Sequence, residues 1–310
     1  MKFPHPNMLL YIAMADAYGA GAEFLKFPQD EIVRDQCLAF KRYLPHPKGE
    51  IPAGCYTDDT EMSVANARVL VECRAPYTRR MFADAWVREF ASGGYRNGYS
   101  GRMQRMLELS YNGGKFLELA GEDSHSTWNG AAMRSVPLGA LKTVEQVLTV
   151  AELQARITHD TLEGVFSAQA VALMSHFALY NDAPLCILPV YCLENLPVAY
   201  SGIFNHVFTS RWPGLPVADV SGRSVAVSTV HAVLDLVVHE SSLMGMLKQA
   251  ITWGGDTDSV CAIAWGIASA RHQSERIPVF MMRDLEKGNT GATGLVYLAG
   301  VGSRLTEKFA

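Results

Sequence analysis

Two short acidic stretches, far apart in the chain, carry the side chains best suited to chemistry. The first is Tyr56-Thr57-Asp58-Asp59-Thr60 and the second is Gly254-Gly255-Asp256-Thr257-Asp258-Ser259. Each places paired carboxylates and hydroxyl groups within a few residues. Hard oxygen donors at that density suit Mg²⁺ or Mn²⁺, and two such turns brought together would hold two ions. Carboxylates crowded into one place repel one another unless protons or cations neutralise them. A blander reading makes the same residues helix caps, with Asp58 as N-cap, Glu61 in the capping-box position, and Asp256 or Asp258 capping a second helix. Capping needs one short polar side chain, however, and each turn supplies two acids with flanking hydroxyls. Gly254-Gly255 adds a tight bend that aims the carboxylates after it.

These turns need a scaffold, and its signals are helical. Apolar residues at three- and four-residue spacing predict helices over 81–90, 102–109, 144–157, 163–180, 225–239, 243–252 and 259–271. Each acidic turn stands just before an apolar stretch of this kind. Gly and Pro punctuate between the helices, at Gly93-Gly94, Gly113-Gly114, Pro184, Pro197 and Pro213-Gly214 among others. Residues 277–282 read as a short strand, but nothing suggests a set of strands that would form a sheet. There is no fixed-period repeat and no low-complexity linker. The expected architecture is a compact, all-α, multi-helix single domain over residues 1–310, with site loops drawn from distant parts of the chain.

Composition narrows the function. The 310 residues are 49% hydrophobic and 19% charged, which supports a sizeable core and excludes a disordered chain. The net charge of −4 lacks the basic excess of a general nucleic-acid binder. Six cysteines without a CxxC pair argue against a zinc ribbon and fit a reducing, cytoplasmic setting. The apolar run 8–15 is expected to stop at Asp16, too early for a secretory leader. No charge-free stretch reads as long and apolar enough to cross a membrane. His125, His176, His206, His231 and His239 have no metal-like spacing together.

Further motifs follow in order. Ala15-Asp16-Ala17-Tyr18-Gly19 precedes Glu23-Phe24. A glycine-rich segment runs from Tyr95 to Gly101. Asn129-Gly130-Ala131-Ala132-Met133-Arg134 leads to Pro137-Leu138-Gly139, and Thr158-His159 is followed by Asp160. With the two acidic turns, this series resembles the ADP-ribosylglycohydrolase family, of the dinitrogenase-reductase-activating-glycohydrolase type, across nearly the whole chain. The resemblance implies a compact all-α fold with two Mg²⁺ or Mn²⁺ ions on the floor of a cleft. It implies removal of ADP-ribose from modified protein side chains or related acceptors. Thr57, Asp58, Asp59, Asp256, Asp258 and Ser259 would then be metal ligands. Gly98, Tyr99, Ser100, Gly101, Asn129, Gly130, Ala131 and His159 would hold the ligand. Ala15 stands where the family commonly has glycine and Ser259 where threonine is commoner, but no metal ligand is lost.

Cleavage at the ribose anomeric carbon passes through an oxocarbenium-like state, which calls for an activated water and a carboxylate to move a proton. Glu23 or Asp59 fills that role. Tyr99 or Phe24 offers an aromatic wall, and Arg134 is expected to make a structural ion pair. Segments 41–51 and 95–114 are expected to discriminate the acceptor, for which an arginine linkage is the best single guess. The expected partners are an ADP-ribosylated protein, free ADP-ribose as product and a cognate ADP-ribosyltransferase. Two alternatives remain: a binuclear phosphoesterase, although no histidine sits in either turn, and a non-catalytic ADP-ribose-binding or transferase-blocking protein.

Overall fold

Residues 8–19 are apolar on every side except for Asp16, and a helix without a polar face belongs in an interior. The structure, a computed structural model, describes residues 2–26, 28–49, 51–121, 124–200, 202–220, 222–287 and 293–310. In it these residues form the helix Met8–Gly19, and every one of them is buried. Asp16 does not end the run. The helix continues past it, and the carboxylate faces a polar pocket described below. Among the described residues there are sixteen α-helices and no sheet, only isolated β-bridges. The apolar side chains join in one continuous core.

Met8–Gly19 and Thr257–Ala268, whose residues are also all buried, form the centre of that core. They run antiparallel: Gly19 lies against Asp258, and Ile12 lies against Gly266. Both glycines are needed for the close approach. A Cβ on Gly19 would stand 2.6 Å from the Asp258 Cα, and one on Gly266 would stand 2.7 Å from the Ile12 side chain. The Thr257 hydroxyl donates to the Gly19 carbonyl at 2.8 Å and locks the register. The helix Asp58–Glu72 packs on both members of the pair. Its amino end and that of Thr257–Ala268 therefore bring the two acidic turns to one end of the core.

Two expectations are corrected. Residues 277–282 are not a strand; the short helix Val279–Arg283 starts directly after Pro278, whose fixed φ suits a helix entry. Leu162–Tyr180 is, by length and composition, apolar enough to cross a membrane, yet 89% of its apolar window is buried inside the fold. Its hydrophobicity is accounted for by core packing. Elsewhere the periodicity located the helices to within a few residues, as at Arg79–Ser92, Val225–His239 and Leu243–Trp253.

Candidate metal and ligand site

The first acidic turn is held from below by Asp16. Its carboxylate accepts the Thr57 N–H at 3.0 Å, the Thr60 N–H at 3.0 Å and the Thr60 hydroxyl at 2.5 Å. Burial pushes the Asp16 carboxyl up to about 6, against these hydrogen bonds, which favour the ionised form. The sequence marked Asp16 as a motif residue and as the expected end of the apolar run 8–15, with no role in the site. An acid inside an otherwise apolar helix was the signal that it had a structural duty. On the other side, Arg96 donates to the Tyr56 carbonyl at 2.7 Å and to Glu286 at 2.9 Å, and stacks over the Tyr56 ring. The turn is thus clamped on both sides.

The capping reading fails for Asp58 and Asp59, whereas the Asp258 carboxylate does accept a first-turn N–H of its own helix, that of Ser259, at 2.9 Å. Thr57 is the N-cap of Asp58–Glu72, its hydroxyl oxygen accepting from the Asp59 N–H at 3.2 Å. That leaves the carboxylates of Asp58 and Asp59 free of capping duty. In the second turn Asp256 occupies the N-cap position without making a side-chain cap bond.

The second turn depends on its glycines. Gly254 and Gly255 have φ of 77° and 83°, in the left-handed region that side chains disfavour. The Gly255 carbonyl accepts from the Phe24 N–H at 2.8 Å, and the Asp256 N–H donates to the Val217 carbonyl at 2.6 Å. A Cβ on Gly255 would overlap the Val217 backbone. Gly255→Ala is expected to cost about 1–2 kcal/mol in backbone strain and about 1–3 kcal/mol in overlap. Thermal melting should show it as a Tm at least several degrees lower; an unchanged Tm would mean that the turn is looser than described.

The turns converge. Glu23, Asp256 and Asp258 each offer a carboxylate oxygen within 4.8 Å of the other two. Burial first, and then neighbouring carboxylates, hold Asp58, Asp59 and Asp258 well above the usual carboxylate range. The Asp59 Oδ1 atom is enclosed and has no hydrogen-bond partner among the described residues. An all-oxygen donor set, mutual repulsion and an orphaned carboxylate oxygen together fit hard divalent cations such as Mg²⁺ or Mn²⁺. Ser259 lines the same space, whereas the Thr57 hydroxyl is turned to Asp59, donating to its Oδ2 at 3.2 Å.

Glu23 is gripped by a residue that the sequence did not single out. The His46 Nε2 lies 2.6 Å from Glu23 Oε2, and His46 Nδ1 accepts the Lys48 N–H at 3.2 Å. With Nδ1 acting as acceptor, the neutral ring carries its proton on Nε2 and donates it to Glu23. Nothing in the spacing announced His46, a single histidine between two prolines.

A cavity of about 560 Å³ opens over the cluster. Glu23, Asp58, Asp59, Asp256, Asp258 and Ser259 line its acidic end. Gly98, Ser100, Asn129, Gly130 and His159 line other parts, with Phe24, Trp128, Met103 and Met106 as apolar wall. Tyr99, Gly101 and Ala131 are not on that surface. Tyr99 is buried edge-on to Phe90, and its hydroxyl donates to Glu61 at 2.5 Å, so the aromatic wall falls to Phe24 and Trp128. Asn129 spends its amide on the protein: Nδ2 donates to Asp256 Oδ2 and Thr229 Oγ1, each at 3.0 Å. It positions the acidic turn. In the segments expected to discriminate the acceptor, Gly98, Ser100, Arg102, Met103 and Met106 face the cavity, and Glu50 lies outside the described residues.

Arg134 departs from expectation. It makes no ion pair with any described carboxylate. Instead Nε donates to Gln154 Oε1 at 2.5 Å, Nη2 donates to Thr158 Oγ1 at 2.8 Å, and the guanidinium lies over the Trp86 ring. Thr158 passes the polarity on, with Oγ1 2.8 Å from His159 Nδ1. Thr158 has one hydroxyl proton, and His159 Nδ1 is the acceptor at hand, so the His159 proton sits on Nε2. Burial, then the charges of Arg134 and Arg102, hold His159 well below its usual range and keep it neutral.

Comparisons with known proteins place the chain in a family. The ADP-ribosylglycohydrolase family profile matches residues 7–309, and the chain belongs to that family. The family is one of hydrolases of ADP-ribose linkages. An uncharacterized protein of Archaeoglobus fulgidus is 26% identical over 272 residues, 86% of either chain. A solved structure described as an ADP-ribosylglycohydrolase-related protein complex superposes with a TM-score of 0.70 at 22% identity, over 98% of this chain and 97% of that one. At that identity it speaks for the fold.

Proposed function

We propose that the protein is a metal-dependent hydrolase that releases ADP-ribose from mono-ADP-ribosylated protein side chains, with arginine as the linkage, in a cytoplasmic setting. The observation that carries this reading is the meeting of Glu23, Asp256 and Asp258 beside the orphaned Asp59 oxygen, at the floor of a cavity of ligand size. Asp58, Asp59, Asp256, Asp258 and Ser259 would hold two Mg²⁺ or Mn²⁺ ions, with Glu23 beside them. When bound, such ions supply charge that orients ribose hydroxyls and polarises a water.

The remaining work falls to the chain's own groups. His46 holds Glu23 Oε2, Oε1 has no hydrogen-bond partner among the described residues, and Glu23 lines the cavity. That carboxylate is placed to take a proton from water or return it to the leaving group, work typically worth about 10²–10⁴-fold in rate. Glu23→Gln keeps the shape and removes the base; turnover should fall by about that factor with metal binding intact. Asp59→Asn tests the other carboxylate. Full turnover in both variants, with metal still bound, would sink the assignment. The product would be free ADP-ribose, and a cognate ADP-ribosyltransferase would supply the substrate.

A second reading, a binding or blocking protein on the same fold, has no specific observation in its favour.

A further inference from the structure

His46 is fixed at several points before it touches Glu23. It stands between Pro45 and Pro47, and the residue before a proline is pushed towards extended backbone. Its N–H donates to the Ile51 carbonyl at 3.0 Å, and its carbonyl accepts from the Gly49 N–H at 2.8 Å. Nδ1 accepts from the Lys48 N–H at 3.2 Å, and the side chain is buried. An imidazole held in this way aims Nε2 in one direction, and there it lies 2.6 Å from Glu23 Oε2.

No other hydrogen bond to the Glu23 carboxylate occurs among the described residues. The backbone beside it is tied separately, by the Phe24 N–H to the Gly255 carbonyl. The side chain thus has a single tether, and it has somewhere else to go. Its oxygen lies within 4.8 Å of carboxylate oxygens of Asp256 and Asp258, close enough for all three to share one cation. A carboxylate spent on a cation is a poor base, because the positive charge favours its ionised form.

We propose that His46 is a positioning residue that decides between these two roles: its Nε2–H holds Glu23 as a proton carrier and keeps it from becoming a further metal ligand. An N–H bond to a carboxylate competes with a cation for the same lone pairs. Groups that bond to the residues around a metal centre typically change affinity or activity by about 10–100-fold when removed. The effect on turnover rests on the function proposed above, whereas the effect on metal binding does not.

Calorimetric titration with Mg²⁺ of the wild type, Glu23→Gln, His46→Asn and the double variant tests the proposal. Asparagine keeps an acceptor for the Lys48 N–H but is too short to reach Glu23. Glu23→Gln is expected to change Mg²⁺ affinity by less than about 3-fold alone and to weaken it by about 10-fold in the His46→Asn background, where the freed carboxylate has joined the ligands. An equal effect in both backgrounds overturns the proposal. In turnover, His46→Asn should lower kcat by about 10-fold or more with KM little changed, and His46→Gln, whose amide N–H reaches Glu23, should recover most of it. A loss expressed in KM, or a folded His46→Gln no better than His46→Asn, also overturns it.

NMR of the wild-type imidazole nitrogens decides the matter if His46→Asn fails to fold. The His46 Nε2–H is expected to stay hydrogen-bonded when Mg²⁺ is added; its release on saturation would mean that Glu23 has moved to the cation, and overturns the proposal. If the wild type binds Mg²⁺ but releases no ADP-ribose, the proposed function fails, and the titrations and NMR judge His46 alone. A wild type that binds no Mg²⁺ overturns both.

Discussion

The Asp58→Ala/Asp256→Ala protein is expected to lose metal-dependent ADP-ribose release by about 10³-fold or more, yet to melt higher than the wild type when metal is absent. The two effects have one cause. Burial and mutual repulsion raise Asp58, Asp59 and Asp258 far above ordinary carboxylates, and Asp256 is among the neighbours that raise all three. Without cations, removing two of the charges relieves that repulsion. The losses are small: Asn129 Nδ2 keeps its bond to Thr229, and Thr57 still caps the Asp58 helix. With cations, the same deletion removes ligands from the centre, and a loss of about 4 kcal/mol of transition-state stabilisation is about 10³-fold in rate. Activity assays and calorimetric melting in EDTA read the two signs separately. A variant that loses activity and is also less stable without metal would mean that these acids are structural rather than ligands.

The second large effect is a pH dependence that metal should weaken; a part will remain from Glu61, which burial raises to about 7 outside the cluster. Asp16, Asp58, Asp59 and Asp258 all have raised folded-state values, so the fold favours their protonated forms. Their contribution is complete below the unfolded carboxylate range, near about 4, and is lost as pH rises through the folded values, about 6 for Asp16. Buried His5 and His159, both lowered by burial, act in the opposite direction on acidification below about pH 6.5. The test window therefore lies between about pH 8 and about pH 6.5. Over it the Tm in EDTA is expected to rise by several degrees as pH falls. With Mg²⁺ or Mn²⁺ the cluster is neutralised, the Tm at the upper pH should rise by mass action, and the slope should flatten. A slope that is the same with and without metal would argue against cation binding at the cluster.

Much of this was legible in the sequence because it is local. The acidic turns announced themselves by composition, and the helices behind them by periodicity. The class of fold followed from the near absence of alternating patterns. Long-range pairings were not legible. Asp16 was visible as a motif residue, but its grip on Thr57 and Thr60 spans more than forty positions. His46 reaches Glu23 from a loop with no pattern of its own. Arg134 looked like half of an ion pair because buried arginines usually have one; only its surroundings show that it does not. Tyr99 sits in a glycine-rich segment that suggested ligand contact, but its ring fits the pocket beside Phe90 and its hydroxyl reaches Glu61. The helix Leu295–Phe309 went unanticipated. Its buried positions, Leu298, Val301, Leu305 and Phe309, recur at helical spacing between small and polar residues that dilute the signal.

The most direct test of the central claim is ADP-ribose release from a protein mono-ADP-ribosylated on arginine, with Mg²⁺, with Mn²⁺ and with EDTA. Release with either metal and none in EDTA is the predicted result. Release that EDTA leaves untouched, or no release by protein shown to hold both metal and ADP-ribose, would contradict it.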